Sequence, residues 1–125
     1  MDRPQIKFTF QIGLAAPFRA FEEALACQAS YLCGGCTISH KTGYWADDGA
    51  VPGAIRFHGK VESEHCLQLE LTCELAKADE VFRDMSLAIA LEASLLDVDT
   101  DWVHVTETAM TGRHFSISAI NSKKA

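Results

Sequence analysis

The chain has 125 residues, 48% of them hydrophobic and 22% charged, with a formal net charge of -6. That length and balance describe one globular domain, burying roughly two-thirds of its unfolded surface, and exclude a disordered chain. An acidic chain without a basic stripe is not expected to bind nucleic acid, no apolar run is long enough to span a bilayer, and no secretory leader is expected at Met1-Asp2-Arg3-Pro4. Five cysteines, an odd number with several on core-like positions, fit free thiols in a reducing compartment, and the cytoplasm is the expected location.

Ile6 to Ile12 alternates apolar and polar residues, the period of a half-buried strand, and Gly13 ends it. Pro17 stands where a first helical turn would begin. Phe18, Phe21, Leu25 and Leu32 then mark one face of a helix that Gly34-Gly35 stops. Cys36 to Tyr44 leans to strand, and a loop through Asp47-Asp48-Gly49 and Pro52-Gly53 follows. Ile55 to Val61 alternates again and predicts a further strand, with Glu62 to His65 as a turn. Cys66 to Cys73 is the cleanest strand: Leu67, Leu69, Leu71 and Cys73 share one face. Ala78 to Leu96 changes to helical period, with Val81, Phe82, Met85, Ala88, Ile89 and Leu96 in a wide apolar stripe. Trp102 to Thr108 predicts a strand, Thr111-Gly112-Arg113 a turn, and His114 to Ile120 an extra C-terminal strand before a polar tail.

This order is a β-α-β-β-α-β arrangement. It predicts an α+β, ferredoxin-like single domain over residues 1–125, an antiparallel sheet with two helices on one face. The opposite face then needs a cover, which favours a homo-oligomer.

Several residue groups carry chemistry. Cys33-Gly34-Gly35-Cys36 has the spacing of a metal or disulfide pair, but no second pair of suitable spacing completes a tetrahedral site. A helix stop with buried thiols accounts for it, and no metal is expected. His40-Lys41-Thr42, His104-Val105-Thr106 and His114-Phe115-Ser116 each fit the H-x-[TS] pattern of two-histidine phosphoesterases, in which one imidazole is the base and the other the acid. So short a pattern is common on strands rich in Thr and Ser. Tyr44-Trp45 is different: adjacent strand residues face opposite ways, so one of the two rings must leave the core, and an exposed ring attracts cations. Packing or an oligomer contact is the alternative. Glu62 and Glu64 are either solvated turn residues or carboxylates aimed at a ligand amine.

Ser39-His40-Lys41-Thr42-Gly43-Tyr44, then Glu64-His65-Cys66-Leu67-Gln68-Leu69, the helix through Ala88 to Ala93, and Asp101-Trp102-Val103-His104-Val105 with Glu107-Thr108 together resemble the bacteriophage S-adenosylmethionine (SAM) lyases, long called SAM hydrolases. The resemblance covers roughly residues 37–117 and is one of pattern. It implies a PII-like trimer that binds SAM at subunit interfaces and needs no cofactor. The substrate's own carboxylate would displace methylthioadenosine and leave homoserine lactone. It further implies Tyr44 near the sulfonium and Glu64 near the amino group as catalytic residues, with Glu62 as the register alternative and Glu107 in substrate binding; Trp45, as the second of the adjacent aromatics, is expected to bind substrate as well. Two departures stand out: a longer segment between Tyr44 and Glu64, and an acidic Glu107 where a neutral polar residue is expected. The resulting expectation is a SAM lyase acting in a host cytoplasm against restriction. Its rival is a PII-like oligomer that only binds or sequesters a small nucleotide-like ligand.

Overall fold

The computed structural model describes residues 3–46 and 59–123. Four strands and three α-helices run in the order β1 (Arg3–Leu14), α1 (Arg19–Cys33), β2 (Thr37–Trp45), β3 (Glu62–Glu74), α2 (Ala78–Leu95), β4 (Val103–Gly112) and α3 (Ile117–Lys123), with a short 3₁₀ turn at Leu75–Lys77. The sheet order is β2-β3-β1-β4, and every neighbouring pair is antiparallel. The α+β architecture expected from the order of elements is therefore the one observed.

Alternation decides which side of the sheet is buried. Ile6, Phe8, Phe10, Ile12 and Leu14 of β1 lie opposite Cys73, Leu71, Leu69, Leu67 and His65 of β3. Directly opposed residues share a face, so these pairs build one apolar surface in the two central strands. On α1, Phe21, Leu25 and Ala29 recur every four residues; on α2, Val81, Met85 and Ile89 do the same. Both stripes join the same core as the sheet residues. Each fully buried Leu, Ile or Phe contributes about 1.5–3 kcal/mol. Phe8, Phe10 and Phe82 form an aromatic group, with Phe10 and Phe82 stacked at 6.3 Å between ring centroids.

Gly34 ends α1 in the left-handed conformation at φ 85°, its N–H donating to the Ser30 carbonyl at 2.8 Å. A side chain resists that conformation, so the glycine is what allows the chain to leave the helix sharply.

Three expectations change. Residues 114–120 are not a strand: the chain leaves β4 at Gly112 and forms α3 instead. The Ser116 hydroxyl accepts a hydrogen bond from the Ala119 N–H at 3.2 Å, which caps and starts the helix. Second, Glu62 to His65 is not a turn but the beginning of β3, paired with Trp45 to Thr42 of β2. The hydrophobic alternation fades there, where Ser63 and Glu64 are exposed, whereas Leu67 and Leu69 further along β3 are buried. Third, the predicted strand at Ile55 to Val61 falls mainly outside the described residues, and residues 59–61 are not in a strand.

The face away from the helices is polar. It presents Lys7, Thr9 and Gln11 of β1 with Gln68, Glu70 and Thr72 of β3, all in register. Such a face is stable in water, so a need to cover it does not by itself drive association.

Candidate functional site

Where β1, β2 and β3 end together, two glycines clear a space on the polar face. Glu64 of β3 lies directly opposite Gly43 of β2, and Gly13 of β1 pairs with Cys66, two residues further along the same face as Glu64. The Glu64 carboxylate lies across the bare backbone of Gly13: a Cβ there would stand 2.6 Å from both carboxylate oxygens. Trp45 shares this face, directly opposite Glu62, and is 43% exposed. Glu62 is itself held by Lys60 at 3.3 Å. A carboxylate, an open glycine floor and an aromatic ring therefore share one corner of the sheet. That combination suits a ligand carrying a positive charge.

Tyr44 is on the other face, opposite Ser63, and is 72% exposed. The expected pairing of Tyr44 with Glu64 is thus not made within one subunit. The register points the two side chains to opposite sides of the sheet, and Trp45, diagonal to Glu64 in the pairing of β2 with β3, is the aromatic residue on the carboxylate's face. Glu107 of β4 lies opposite Phe8 on the helix-covered side of the register. The five residue steps from Phe8 to Gly13 separate it from Glu64 by about 16 Å along the strand. Glu107 is not part of this corner.

A second polar group was invisible in the sequence. His40 Nδ1 lies 2.8 Å from His65 Nε2, and His40 Nε2 lies 3.1 Å from Glu22 Oε2. A carboxylate only accepts, so His40 donates through Nε2 to Glu22, and its Nδ1 accepts from His65 Nε2–H when both rings are neutral. The chain ties α1 to the edge of the sheet and forms one wall of a groove of about 690 Å³ with Pro17, Arg19 and Ile38. Only a known register reveals it, because Glu22, His40 and His65 are far apart in sequence.

The three H-x-[TS] histidines are scattered. His40 is on the helix side of β2, His104 is opposite Gln11 on the polar side of β4, and His114 follows β4. β2 and β4 are the two edges of the sheet, three strand spacings or about 14 Å apart. No two-histidine cleft is formed by His40 and His104. Cys33 ends α1 and Cys36 immediately precedes β2. Burial pushes both thiols up, and nearby Cys73 and Cys36 push Cys33 further. They are protonated thiols, not reactive thiolates. Among the described residues, no group of three or more His, Cys, Asp or Glu side chains is placed to hold a metal ion. No described helix is long and apolar enough to cross a membrane.

No protein-family model matches the sequence, and no curated protein matches it. Solved structures do match in shape. CutA from Synechococcus elongatus, complexed with a Bis-Tris molecule, aligns over 97% of this chain and 92% of its own, at 9% identity and a TM-score of 0.50. The chain has the ferredoxin-like, PII-like fold. A Bacillus cereus protein related to NIF3 aligns over 86% of this chain at 11% identity and a TM-score of 0.51, and this chain spans only 26% of it. A phage SAM lyase in complex with S-methyl-5'-thioadenosine aligns over 90% of this chain and 93% of its own, at 10% identity and a TM-score of 0.48. At such identities these likenesses are of fold alone.

Proposed function

We propose that the protein is a SAM lyase, cleaving SAM to methylthioadenosine and homoserine lactone. The observation that carries this reading is the Glu64 carboxylate lying over Gly13 with Trp45 on the same face. SAM presents two positive groups, a sulfonium and an ammonium. An aromatic face attracts the first without offering a basic atom, for roughly 0.5–2 kcal/mol, and a carboxylate anchors the second. With the ammonium held, the substrate carboxylate turns toward its own Cγ. Its oxygen forms the new C–O bond as the Cγ–S bond breaks, and the electron pair leaves with sulfur as the neutral thioether. No water, metal or cofactor enters the balance. The protein's contribution is orientation, which can be large for an intramolecular attack. The pattern shared with phage SAM lyases over residues 37–117 supports the same reading.

Tyr44 faces away from Glu64, so it reaches such a site only from a neighbouring subunit. A homotrimer with SAM at its interfaces is therefore part of the proposal, as are action in a host cytoplasm and an antirestriction role. Glu62 is the substitute anchor should the bound register place it nearer the ammonium.

The separation of Tyr44 from Glu64 favours one rival, a PII-like oligomer that sequesters a small nucleotide-like ligand without chemistry. Incubation with SAM, followed by chromatography for methylthioadenosine and homoserine lactone, separates the two. Glu64→Gln is expected to lose most turnover while calorimetry still detects SAM binding, since orientation is lost at the reacting centre. Tyr44→Phe is expected to be milder than Tyr44→Ala. Full activity in Glu64→Gln would move the anchor to Glu62, and no cleavage by the unmodified protein would leave the sequestering module.

A further inference from the structure

Beside Glu64 the polar face carries a row of three residues across the sheet. Lys41 of β2 lies directly opposite Cys66 of β3, and Cys66 lies directly opposite Gly13 of β1. Directly opposed residues share a face, so Lys41 stands on the same side of the sheet as Glu64 and Trp45. The Glu64 carboxylate fills the far end of the row, because it lies over Gly13. One row therefore holds an ammonium at one end, a thiol in the middle and a carboxylate at the other.

The two charges do not neutralise each other. Lys41 and Glu64 are both exposed, and among the described residues neither makes an ion pair or a side-chain hydrogen bond. They are diagonal neighbours in the pairing of β2 with β3, within reach of long side chains. The carboxylate instead turns to the β1 side, over Gly13, with β3 between it and Lys41. Lys60, another base at this corner, is held by Glu62 at 3.3 Å. The Cys66 thiol stands between the free charges and senses both. Burial pushes it up and Glu64 pushes it further, while a backbone hydrogen bond at Ile12 and the charge of Lys41 draw it back.

The spacing selects a ligand. Gly13 and Lys41 are two strand spacings apart, about 9.5 Å. In an α-amino acid the nitrogen and the carboxyl carbon are about 2.5 Å apart. A C–O bond of about 1.2 Å and a charge-assisted hydrogen bond of about 2.8 Å at each end bring the span to about 9 Å. An ammonium without a carboxylate beside it would satisfy only one end.

We infer that Lys41 binds the α-carboxylate of the ligand whose ammonium Glu64 anchors, so that the row reads the zwitterionic head of an α-amino acid. The inference rests on the proposed function only in placing a ligand ammonium at Glu64. In the lyase reaction Lys41 holds one carboxylate oxygen and leaves the other to reach Cγ. That contact is made before the attack as well as during it, so Lys41→Gln is expected to raise KM more than it lowers kcat.

The test uses S-adenosylhomocysteine and its decarboxylated form, titrated into the full chain by calorimetry. Neither ligand carries a sulfonium, so neither measurement depends on cleavage. The unmodified chain is expected to bind S-adenosylhomocysteine about tenfold tighter or more, since a hydrogen bond between charged groups is lost with the carboxylate. Lys41→Gln is expected to lose most of that preference without weakening the decarboxylated ligand, and Lys41→Arg, which keeps the charge, to retain most of it. Lys41 is exposed, so circular dichroism is expected to be unchanged in both variants. Equal affinity of the unmodified chain for the two ligands, an undiminished preference in Lys41→Gln, or no binding of either ligand overturns the inference. SAM cleavage, assayed in parallel, separates it from the lyase reading. A Lys41-dependent preference without cleavage upholds the inference and sinks the lyase, whereas cleavage with an unchanged KM in Lys41→Gln does the reverse.

Discussion

Gly13→Ala separates the proposed site from the stability of the fold. The new Cβ would stand 2.6 Å from both Glu64 carboxylate oxygens, against about 3.4 Å for ordinary van der Waals contact, so the carboxylate must move by about 0.8 Å. The three nearest atoms all belong to the end of a flexible side chain. Gly13 does not have a positive φ, so alanine fits the strand backbone. Alanine also costs less conformational entropy, about 0.5–1 kcal/mol in favour of the variant. Thermal unfolding is therefore expected to be unchanged or slightly raised. Turnover should respond differently, since a misplacement near 1 Å at a reacting centre costs on the order of 10²-fold. The assay is methylthioadenosine release from SAM beside a melting curve. Unchanged turnover would refute the role given to the Glu64 carboxylate, and a loss of more than about 1 kcal/mol of stability would refute the open floor at Gly13.

Further outcomes follow from the core, the thiols and the scattered histidines. Leu69→Ala, at a fully buried position facing both helices, is expected to cost about 2–5 kcal/mol in denaturant unfolding, and a cost below 1 would contradict the core described. Burial raises the thiols of Cys33, Cys36, Cys66 and Cys73 above the ordinary 9.0. Their contribution is fully present below pH 9.0 and is lost as pH rises through the raised folded values, because the unfolded chain gives up those protons first. Stability is expected to fall in that window, and Cys33→Ala with Cys73→Ala to flatten the fall; identical alkaline slopes would count against it. His104→Ala and His114→Ala are each expected to leave SAM cleavage within about tenfold, or about 1.4 kcal/mol of barrier. Loss of a measured phosphodiesterase activity in either variant would favour the two-histidine chemistry instead.

Read along the chain, the residues by themselves determine the order of elements and the buried face of each. Ile6 to Ile12 and Leu67 to Cys73 show period two, and Phe21, Leu25, Val81, Met85 and Ile89 show helical spacing, because alternation and helical repeat are local properties. Cys66 and Cys73, seven apart on one strand, are on opposite faces for the same reason. The C-terminal segment misled because Phe115 and Ile117 alternate like strand residues, whereas Ser116 caps a helix. The site was only half legible. Gly13, Gly43 and Glu64 are separate marks in the sequence, and only the pairing of β2 and β1 with β3 lays the carboxylate over the glycine floor. That pairing also moves Tyr44 to the far face, leaves Glu107 distant, and joins Glu22, His40 and His65. Register is set between strands remote in sequence, and a shift of one residue exchanges every side chain between the faces. Which residues meet was therefore decided by the sheet.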